Sequence, residues 1–285
     1  MTTVLAVDLG GTKTAIARVD PDGTVHDRCR LPATRDLEGS VAQIAGAASG
    51  VQAVGVIVPG IYTPRSGRAW CPNLWGTDEV PLLDALRARL DVPVAIDSDR
   101  AGYVLGESWR GAARGLQDVA FVSLSTGIGI GILAGGRVLG GAHGIAGAAG
   151  WFALDPQWTE EYGRTGCWEA EAAGPAIARH AGTADAQAAA EAARRGDPAA
   201  RAAFDRAARY SGMGIANLIS VLNPEAVVLG GGVGQGAGDL LLDPIRAEVR
   251  RWAQPIAAAR CRIVLTELGE DAGLLGAARL ALDLL

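Results

Sequence analysis

The chain has 285 residues and a net charge of -5, with 49% apolar and 20% charged residues. Such a chain is long enough to bury a core in one large α/β domain or in two lobes, and its composition is unlike that of disordered proteins. No cluster of basic and aromatic side chains could follow a nucleic acid backbone, and no apolar run reaches membrane-spanning length, so neither nucleic acid nor a membrane is an expected partner.

The first predicted elements form a β-hairpin with a glycine-rich tip. An apolar run over residues 3–8 leads into the turn LGGTKT, and the sequence AIARVD resumes as a strand before the turn at 21–23. The pattern then predicts a helix over 37–48.

A buried strand follows and ends at Pro59 and Gly60. After a loop, leucines at helical spacing predict a helix over 80–90, and a short strand is predicted over 92–96. Open α/β sheets place ligands at the carboxyl ends of their strands. Three polar residues occupy that position here: Asp97, Ser98 and Asp99.

The second half begins with the same pattern as the first. Residues 119–141 read as a strand, a Ser/Thr/Gly turn and a second strand, which predicts two related halves. The remaining predicted elements are helices over 168–180, 185–195, 199–222, 240–253 and from 272 onward, and strands over 226–229 and 262–266.

The turn that follows the first strand is a candidate phosphate cradle. Its glycines let backbone N–H groups approach an anion, and its hydroxyl groups add donors. It matches neither a Walker A loop nor a GxGxxG turn, and taken alone such a turn is more often a plain hairpin. The candidate residues are Asp8, Gly10, Gly11, Thr12, Lys13 and Thr14.

Two further glycine turns follow strands of the second half. One repeats the Ser/Thr/Gly pattern, and the other, at 230–234, either admits a flat ring or ribose or is a tight packing turn. Three such turns favour a nucleotide clamped between two lobes. The predicted nucleotide-binding residues of the second half are Ser125, Thr126, Gly127, Gly129, Gly231 and Gly232.

Five segments in order resemble the ROK family, which groups bacterial sugar kinases with sugar-responsive repressors: DLGGTKT, DRAGYVLGE, STGIGIGILAGGRVLGGAHGIAG, GCWEAEAAG and NLISVLNPEAVVLGGGVG. The resemblance implies an α/β, two-lobed actin-like ATPase fold of the ribonuclease H-like type, with duplicated βββαβα-type domains and an interlobe cleft. The expected lobes are 1–115, with a C-terminal helix at about 272–285 packing back on it, and 116–271.

The resemblance favours the kinase branch, because the family's repressors carry an N-terminal helix-turn-helix domain and here the phosphate turn begins within the first ten residues. It implies ATP-dependent transfer of the γ-phosphate to a primary, C6-type hydroxyl of a hexose, an amino sugar such as kanosamine, or a sugar-like cyclitol. ATP and Mg²⁺ are the expected cofactors. The resemblance also implies a homodimer. A cytoplasmic location is expected because no signal-peptide pattern is present.

The resemblance also assigns roles to individual residues. Asp99 matches the family's general base, although a carboxylate there is also suited to capping the following helix, and Asp97 is a rival base. Asp8 is expected near Mg²⁺, which would be held largely through water and ATP oxygens. The expected substrate-binding residues are Gly60, Asn73, Ser98, Asp99, Gly147, Trp151 and Glu169.

The chain departs from the family on the substrate side. Ala148 and Trp151 stand where the family has a glutamate and a zinc-binding histidine, and of the zinc cysteines only Cys167 is present, so no zinc site is expected. Ser98 replaces the usual asparagine before the base. The changes favour an altered substrate, in which Trp151 either contacts a sugar ring or fills space. The alternatives are a catalytically silent sugar- or nucleotide-binding regulator and an acyl-phosphate kinase or ATPase.

Overall fold

The computed structural model describes residues 2–285. Its strands are β1 (Val4–Leu9), β2 (Lys13–Val19), β3 (Val25–Pro32), β4 (Val54–Val58), β5 (Ile61–Thr63), β6 (Arg68–Trp70), β7 (Val94–Ser98), β8 (Val119–Leu124), β9 (Ile128–Ala134), β10 (Arg137–Val138), β11 (Ala226–Gly230) and β12 (Arg262–Leu265).

The helices lie between these strands and after the last one. They are α1 (Leu37–Ala47), α2 (Pro72–Trp75), α3 (Leu82–Arg87), α4 (Asp99–Arg110), α5 (Tyr162–Thr165), α6 (Cys167–Ala172), α7 (Gly174–Ala181), α8 (Ala186–Arg194), α9 (Pro198–Leu222), α10 (Gly231–Gly236), α11 (Gly238–Trp252), α12 (Pro255–Arg260) and α13 (Asp271–Leu282), with a 3₁₀ turn at Ala149–Trp151. Within residues 2–285, no helix combines the length and apolar character needed to span a membrane.

The chain divides into two compact units. The first contains 2–115, 138–146 and 270–285, and the second contains 116–137 and 147–269. In the described part of the chain, the main sheet of the first unit has the order β3-β2-β1-β4-β7, and the second sheet has the equivalent order β10-β9-β8-β11-β12. In both sheets an antiparallel hairpin is extended by parallel strands. This equivalence confirms the predicted duplication.

In the first unit, α4 and α13 approach each other closely through glycines. A Cβ atom on Gly276 would overlap the carbonyl group of Gly102, and one on Gly106 would overlap the carbonyl of Ala272. On the sheet side, Gly55 of β4 makes the same kind of close approach to α13. Because the glycines bring backbone against backbone, α13 packs directly on the face of the sheet, with its first turn at the carboxyl end of β1.

The second unit is built around the long helix α9. Trp168 of α6 is fully buried, packs against Gly214 of α9 and donates its indole N–H to Ser211 Oγ at 3.2 Å. The apolar side chains of β8 and β11 complete this core, and their continuous apolar runs are typical of strands that are covered on both faces.

The structure differs from the predicted elements at several places. The helix predicted over 168–180 is broken between α6 and α7, because Pro175 lies in the first turn of α7 and lacks the N–H that a continuous helix needs. The glycine run at 230–234 begins the helix α10 rather than forming a turn. The strands β3, β5 and β6 and the helix α12 were not predicted.

Candidate active site

The β1–β2 turn of the first unit is the predicted phosphate cradle. The Gly10 N–H donates to the Lys13 carbonyl at 2.9 Å, and a Cβ atom on Gly10 would lie 2.7 Å from that oxygen, so the turn requires glycine here. Thr12 is exposed at the tip. Thr14 is 1% exposed and pairs with Leu9 in the β1–β2 ladder. Its hydroxyl group, which was predicted to contact phosphate, is therefore buried rather than presented on the turn.

Asp8 lies at the end of β1, beside this turn, and its carboxyl is desolvated. Burial raises the pKa of Asp8 to about 7; the negative charge of Asp99 contributes to the rise, and Lys13 lowers the pKa in part. Gly273 of α13 packs so closely on Asp8 that a Cβ atom there would overlap the carboxylate. The parallel strands β1, β4 and β7 end at the same edge of the sheet. The carboxyl groups of Asp8 and Asp99 interact at this edge.

Asp99 is the first residue of α4, directly after β7. Burial raises the pKa of Asp99 to about 6, while the charge of Arg100 and the hydrogen bond from its backbone N–H, at 2.8 Å, lower it. Ser98 is the N-cap of the helix, because its Oγ accepts from the Ala101 N–H at 3.3 Å. The capping role considered for Asp99 is therefore wrong, since Ser98 performs it.

Asp97, the rival base, is positioned differently. Its Oδ1 accepts from the Ser98 backbone N–H at 2.7 Å. Burial raises the pKa of Asp97, and this hydrogen bond and the charge of Arg100 act against the rise. Nearby Cys71 is buried, and burial together with the charge of Asp99 raises its pKa to about 12, so it is a neutral thiol at physiological pH.

Two other predicted substrate residues lie in the first unit. Asn73 of α2 is exposed beside the cradle, where its Cβ lies 3.8 Å from the position of a Cβ on Gly11. Gly60 follows β4, and a side chain there would overlap the Trp70 carbonyl. Asn73 therefore adjoins the phosphate turn, whereas the structure explains Gly60 by backbone packing.

The β8–β9 turn of the second unit is held by Glu169 of α6. Glu169 Oε2 accepts from the Ile128 N–H at 2.8 Å, and a Cβ atom on Gly127 or Gly150 would lie within 3.0 Å of the same oxygen. Burial raises the pKa of Glu169, and the Ile128 hydrogen bond lowers it in part. Glu169, which was predicted to bind the sugar, thus contacts the second predicted phosphate turn.

The remaining predicted substrate residues adjoin this turn. Gly147 accepts from the Ile130 N–H at 2.8 Å and has φ +85°, and a side chain on it would overlap the Ile130 carbonyl. Trp151, at the end of the 3₁₀ turn, is 58% exposed. Its ring therefore does not fill a buried space in the second unit and is accessible to a ligand.

A cavity of about 610 Å³ opens in the second unit next to the β8–β9 turn. Its lining includes Ser125, Thr126 and Gly232, three of the predicted nucleotide-binding residues. Gly231 has φ +79°, and a Cβ atom there would lie 2.5 Å from the Leu124 carbonyl, so its role is to allow close packing of backbone. The wall formed by α7 and α8 was not predicted, and it includes Pro175, Ala178, Gln187, Glu191 and Arg194.

The described residues 2–285 contain no cluster of three or more His, Cys, Asp or Glu side chains arranged to bind a metal ion. Asp8 nevertheless suits a hard cation that takes most of its ligands from water and phosphate oxygens. Burial and, to a smaller extent, the charge of Asp99 disfavour the charged form of Asp8, and a divalent cation beside the carboxylate would favour it.

Comparison with known proteins decides the family. A profile of the ROK family matches residues 4–284. The chain belongs to the ROK family. Among ROK relatives, a glucokinase of Streptomyces coelicolor is 33% identical over 97% of this chain and 96% of that protein. An N-acetylmannosamine kinase of Escherichia fergusonii is 36% identical over 98% of both chains.

Solved ROK structures share the fold. A glucokinase from Streptomyces griseus in complex with glucose and AMPPNP has a TM-score of 0.81 and 31% identity, and covers 99% of both chains. A ROK hexokinase from Thermus thermophilus has a TM-score of 0.85 and 33% identity, with the same coverage. These structures confirm the predicted α/β class and the two-lobed actin-like ATPase fold.

Proposed function

We propose that this ROK protein is an ATP-dependent sugar kinase that transfers the γ-phosphate of ATP to a primary, C6-type hydroxyl. The observation that carries the proposal is the position of Asp99, a desolvated carboxyl that begins α4 at the strand edge where Asp8 and the phosphate turn also lie. The ATP-using sugar kinases among its relatives support the same reaction class.

The chemistry follows from this placement. Asp99 accepts the proton of the acceptor hydroxyl while that oxygen bonds to the γ-phosphorus, and the bond from the γ-phosphorus to the β-phosphate oxygen breaks. A pKa of about 6 leaves Asp99 mostly charged at neutral pH yet more basic than an ordinary aspartate. The backbone N–H groups of Gly11 and Thr12 hold phosphate oxygens, since that of Gly10 donates to the Lys13 carbonyl.

Mg²⁺ is the proposed second cofactor, held beside Asp8 mainly through water and ATP. When bound, it supplies positive charge that offsets the charge of the phosphate oxygens. Lys13 adjoins the same turn, where its Nζ lies 3.3 Å from Glu270 Oε1. That ion pair positions the ammonium group of Lys13, which is the only lysine of the chain.

The proposed substrates are a hexose, an amino sugar such as kanosamine, or a sugar-like cyclitol. Ala148 stands where the family has a glutamate, so a carboxylate that could accept hydrogen bonds from sugar hydroxyls is absent at this position. The exposed ring of Trp151 offers an apolar surface for a sugar ring. Such a site favours a substrate with fewer hydroxyl contacts. The proposed substrate-binding residues are Gly60, Asn73, Ser98, Asp99, Gly147, Trp151 and Glu169. A cytoplasmic homodimer completes the proposal.

A coupled ADP-release assay tests this function on glucose, N-acetylmannosamine, kanosamine and C7 cyclitols. We expect turnover on one of them, and Asp99→Asn is expected to lower kcat about 1000-fold because the proton acceptor is removed. Asp97→Asn is the matched control and is expected to lower kcat less than about tenfold. Sugar-independent ADP release, no turnover on the panel, or a larger loss from Asp97→Asn would each contradict the proposal.

A further inference from the structure

The cavity of the second unit has a wall to which the proposed function assigns no role. Ser125 and Thr126 of the β8–β9 turn and Gly232 of α10 lie on its lining and are among the residues proposed to bind the nucleotide. Its volume of about 610 Å³ lies within the usual range for small-molecule sites. If the proposed function is correct, the base of the nucleotide lies against the remaining lining.

One face of α8 contributes more residues to that lining than any other helix or strand. Gln187, Glu191 and Arg194 follow each other at spacings of four and three residues, which places them in one stripe on a helix. Ala186 and Ala190 line the cavity from the same face. Their small side chains leave room for a flat ring beside the polar stripe.

Arg194 is fixed in place at this wall. Its Nε and Nη2 donate to the two carboxylate oxygens of Asp239 at 2.9 and 2.6 Å, and Nη2 also donates to the Gly236 carbonyl at 2.7 Å. Asp239 therefore balances its charge, and the donors on Nε and Nη2 are engaged within the protein. The face of a guanidinium held in this way is suited to stacking on an aromatic base.

Gln187 is oriented by its neighbour. Its Nε2 donates to Glu191 Oε1 at 3.4 Å, so the amide nitrogen is directed along the helix and the amide oxygen remains as an acceptor. Adenine carries an amino donor at position 6, whereas hypoxanthine and guanine carry a carbonyl oxygen there. An acceptor on the protein attracts the first and repels the other two.

We propose that the α8 face formed by Gln187, Glu191 and Arg194 recognises the nucleotide base, and that Gln187 selects purines with a 6-amino group. Glu191 acts as a positioning residue that sets the direction of the Gln187 amide. Arg194 supplies the fixed stacking plane. This assignment explains why the polar residues of this short, alanine-rich helix fall on the face that lines the cavity.

Calorimetric titration with ADP and with IDP tests the proposal without any sugar or turnover. IDP differs from ADP at the position that Gln187 reads. We expect the full-length protein to bind ADP about five- to tenfold more tightly than IDP, as one exposed hydrogen bond allows. Gln187→Leu is expected to weaken ADP binding to the level of IDP and to leave IDP binding unchanged.

A second variant separates recognition from simple damage to the cavity. Glu191→Ala frees the Gln187 amide to present its nitrogen to a 6-oxo group, so IDP is expected to bind about threefold more tightly than to the unmodified protein. Gln52→Leu, an exposed glutamine in the first unit, is the matched control and is expected to change neither affinity.

The possible outcomes distinguish this inference from the proposed function. An ADP preference that survives Gln187→Leu, equal affinity of the unmodified protein for ADP and IDP, or no binding of either nucleotide would overturn it. Selective ADP binding that depends on Gln187, in a protein that phosphorylates none of the sugars tested, would support base recognition and contradict only the kinase proposal.

Discussion

The two units share a strand order, but the pKa values of Asp8 and Asp99 in the first unit and of Glu171 in the second are shifted in opposite directions. In the first unit, burial raises the pKa of Asp8 to about 7 and that of Asp99 to about 6. In the second unit, burial works to raise the pKa of Glu171, but hydrogen bonds from Arg206 and Tyr162, each 2.5 Å long, outweigh it and lower the pKa. Asp8 and Asp99 can therefore take part in proton transfer, whereas both carboxylate oxygens of Glu171 are hydrogen-bonded within the second unit.

The difference shows how one duplicated scaffold supports two kinds of site. Each hairpin closes on a terminal pair, Leu9 with Thr14 and Leu124 with Ile128, and the first turn is one residue longer than the second. The groups beside the two turns also differ. Asp8 lies at the first turn as a desolvated acid, whereas a cavity suited to a base opens at the second. Strand order positions a site, and the neighbouring side chains decide its chemistry.

The largest stability effect is expected where the helices of the first unit approach most closely. Gly276→Ala would drive a methyl group into the Gly102 carbonyl, so α4 and α13 must separate. We expect the free energy of unfolding to fall by about 3 kcal/mol, and the kcat of sugar phosphorylation to fall as Asp99 moves with α4. Urea unfolding and the coupled assay measure the two effects.

The control for this substitution is Gly46→Ala in α1, where a methyl group would meet nothing within 4 Å. Alanine is the better helix former, so this variant is expected to gain about 0.5 kcal/mol without loss of activity. Equal behaviour of the two variants would show that the glycine contact between α4 and α13 does not position Asp99.

A smaller effect is expected from the carboxyl pair as pH changes. The folded protein holds protons on Asp8 and Asp99 between their ordinary pKa of 3.8 and their raised values, so these groups make stability fall as pH rises from about 4 to 7. Asp8→Asn removes part of that loss and is expected to stabilise the protein at pH 8 by on the order of 2 kcal/mol. The gain should vanish near pH 4.

Thermal unfolding of both proteins across this pH range measures the effect. Asp78→Asn, which alters an exposed carboxyl, is the control and should shift the melting temperature little at any pH. The same titration predicts that kcat/KM decreases below about pH 6, where Asp99 becomes protonated. A gain at pH 4 as large as at pH 8 would contradict the assignment of Asp8 as a raised-pKa group.

The smallest effect is expected in the second unit, and its pH dependence has the opposite sign. Glu171→Gln weakens the hydrogen bond to Arg206 and is expected to cost about 1 kcal/mol at pH 7. Because the folded pKa is lowered, this contribution is present above the ordinary pKa of 4.5 and is lost as pH falls through the folded value.

Glu160→Gln, an exposed neighbour in the same unit, is the control and is expected to leave stability unchanged. Melting temperatures at pH 7 and pH 3 separate the two variants. If Glu171→Gln were as costly at pH 3 as at pH 7, the charge of Glu171 would not be the stabilising feature, and the contrast between the units would rest on Asp8 and Asp99 alone.

Much of the scaffold could be read from local patterns. The hairpin around Gly10, the strand before Asp99 and the hairpin around Gly127 were predicted because apolar runs and glycine turns report short-range structure. The helix break at Pro175 was missed, although proline at the start of a helix is a local signal. The α8 wall was missed as well, because the spacing of Gln187 and Glu191 shows a helix face but not what faces it.

The sequence by itself determined the family and the duplicated strand pattern and predicted the carboxyl groups proposed for catalysis, since these depend on motifs and on periodicity along the chain. Only the tertiary structure decided which of those groups are desolvated, because burial under α13 and, to a smaller extent, the charge of Asp99 raise the pKa of Asp8. It also decided that Ser98 caps α4. Burial and charge coupling depend on residues distant in sequence, and their magnitude follows from packing that local spacing does not specify.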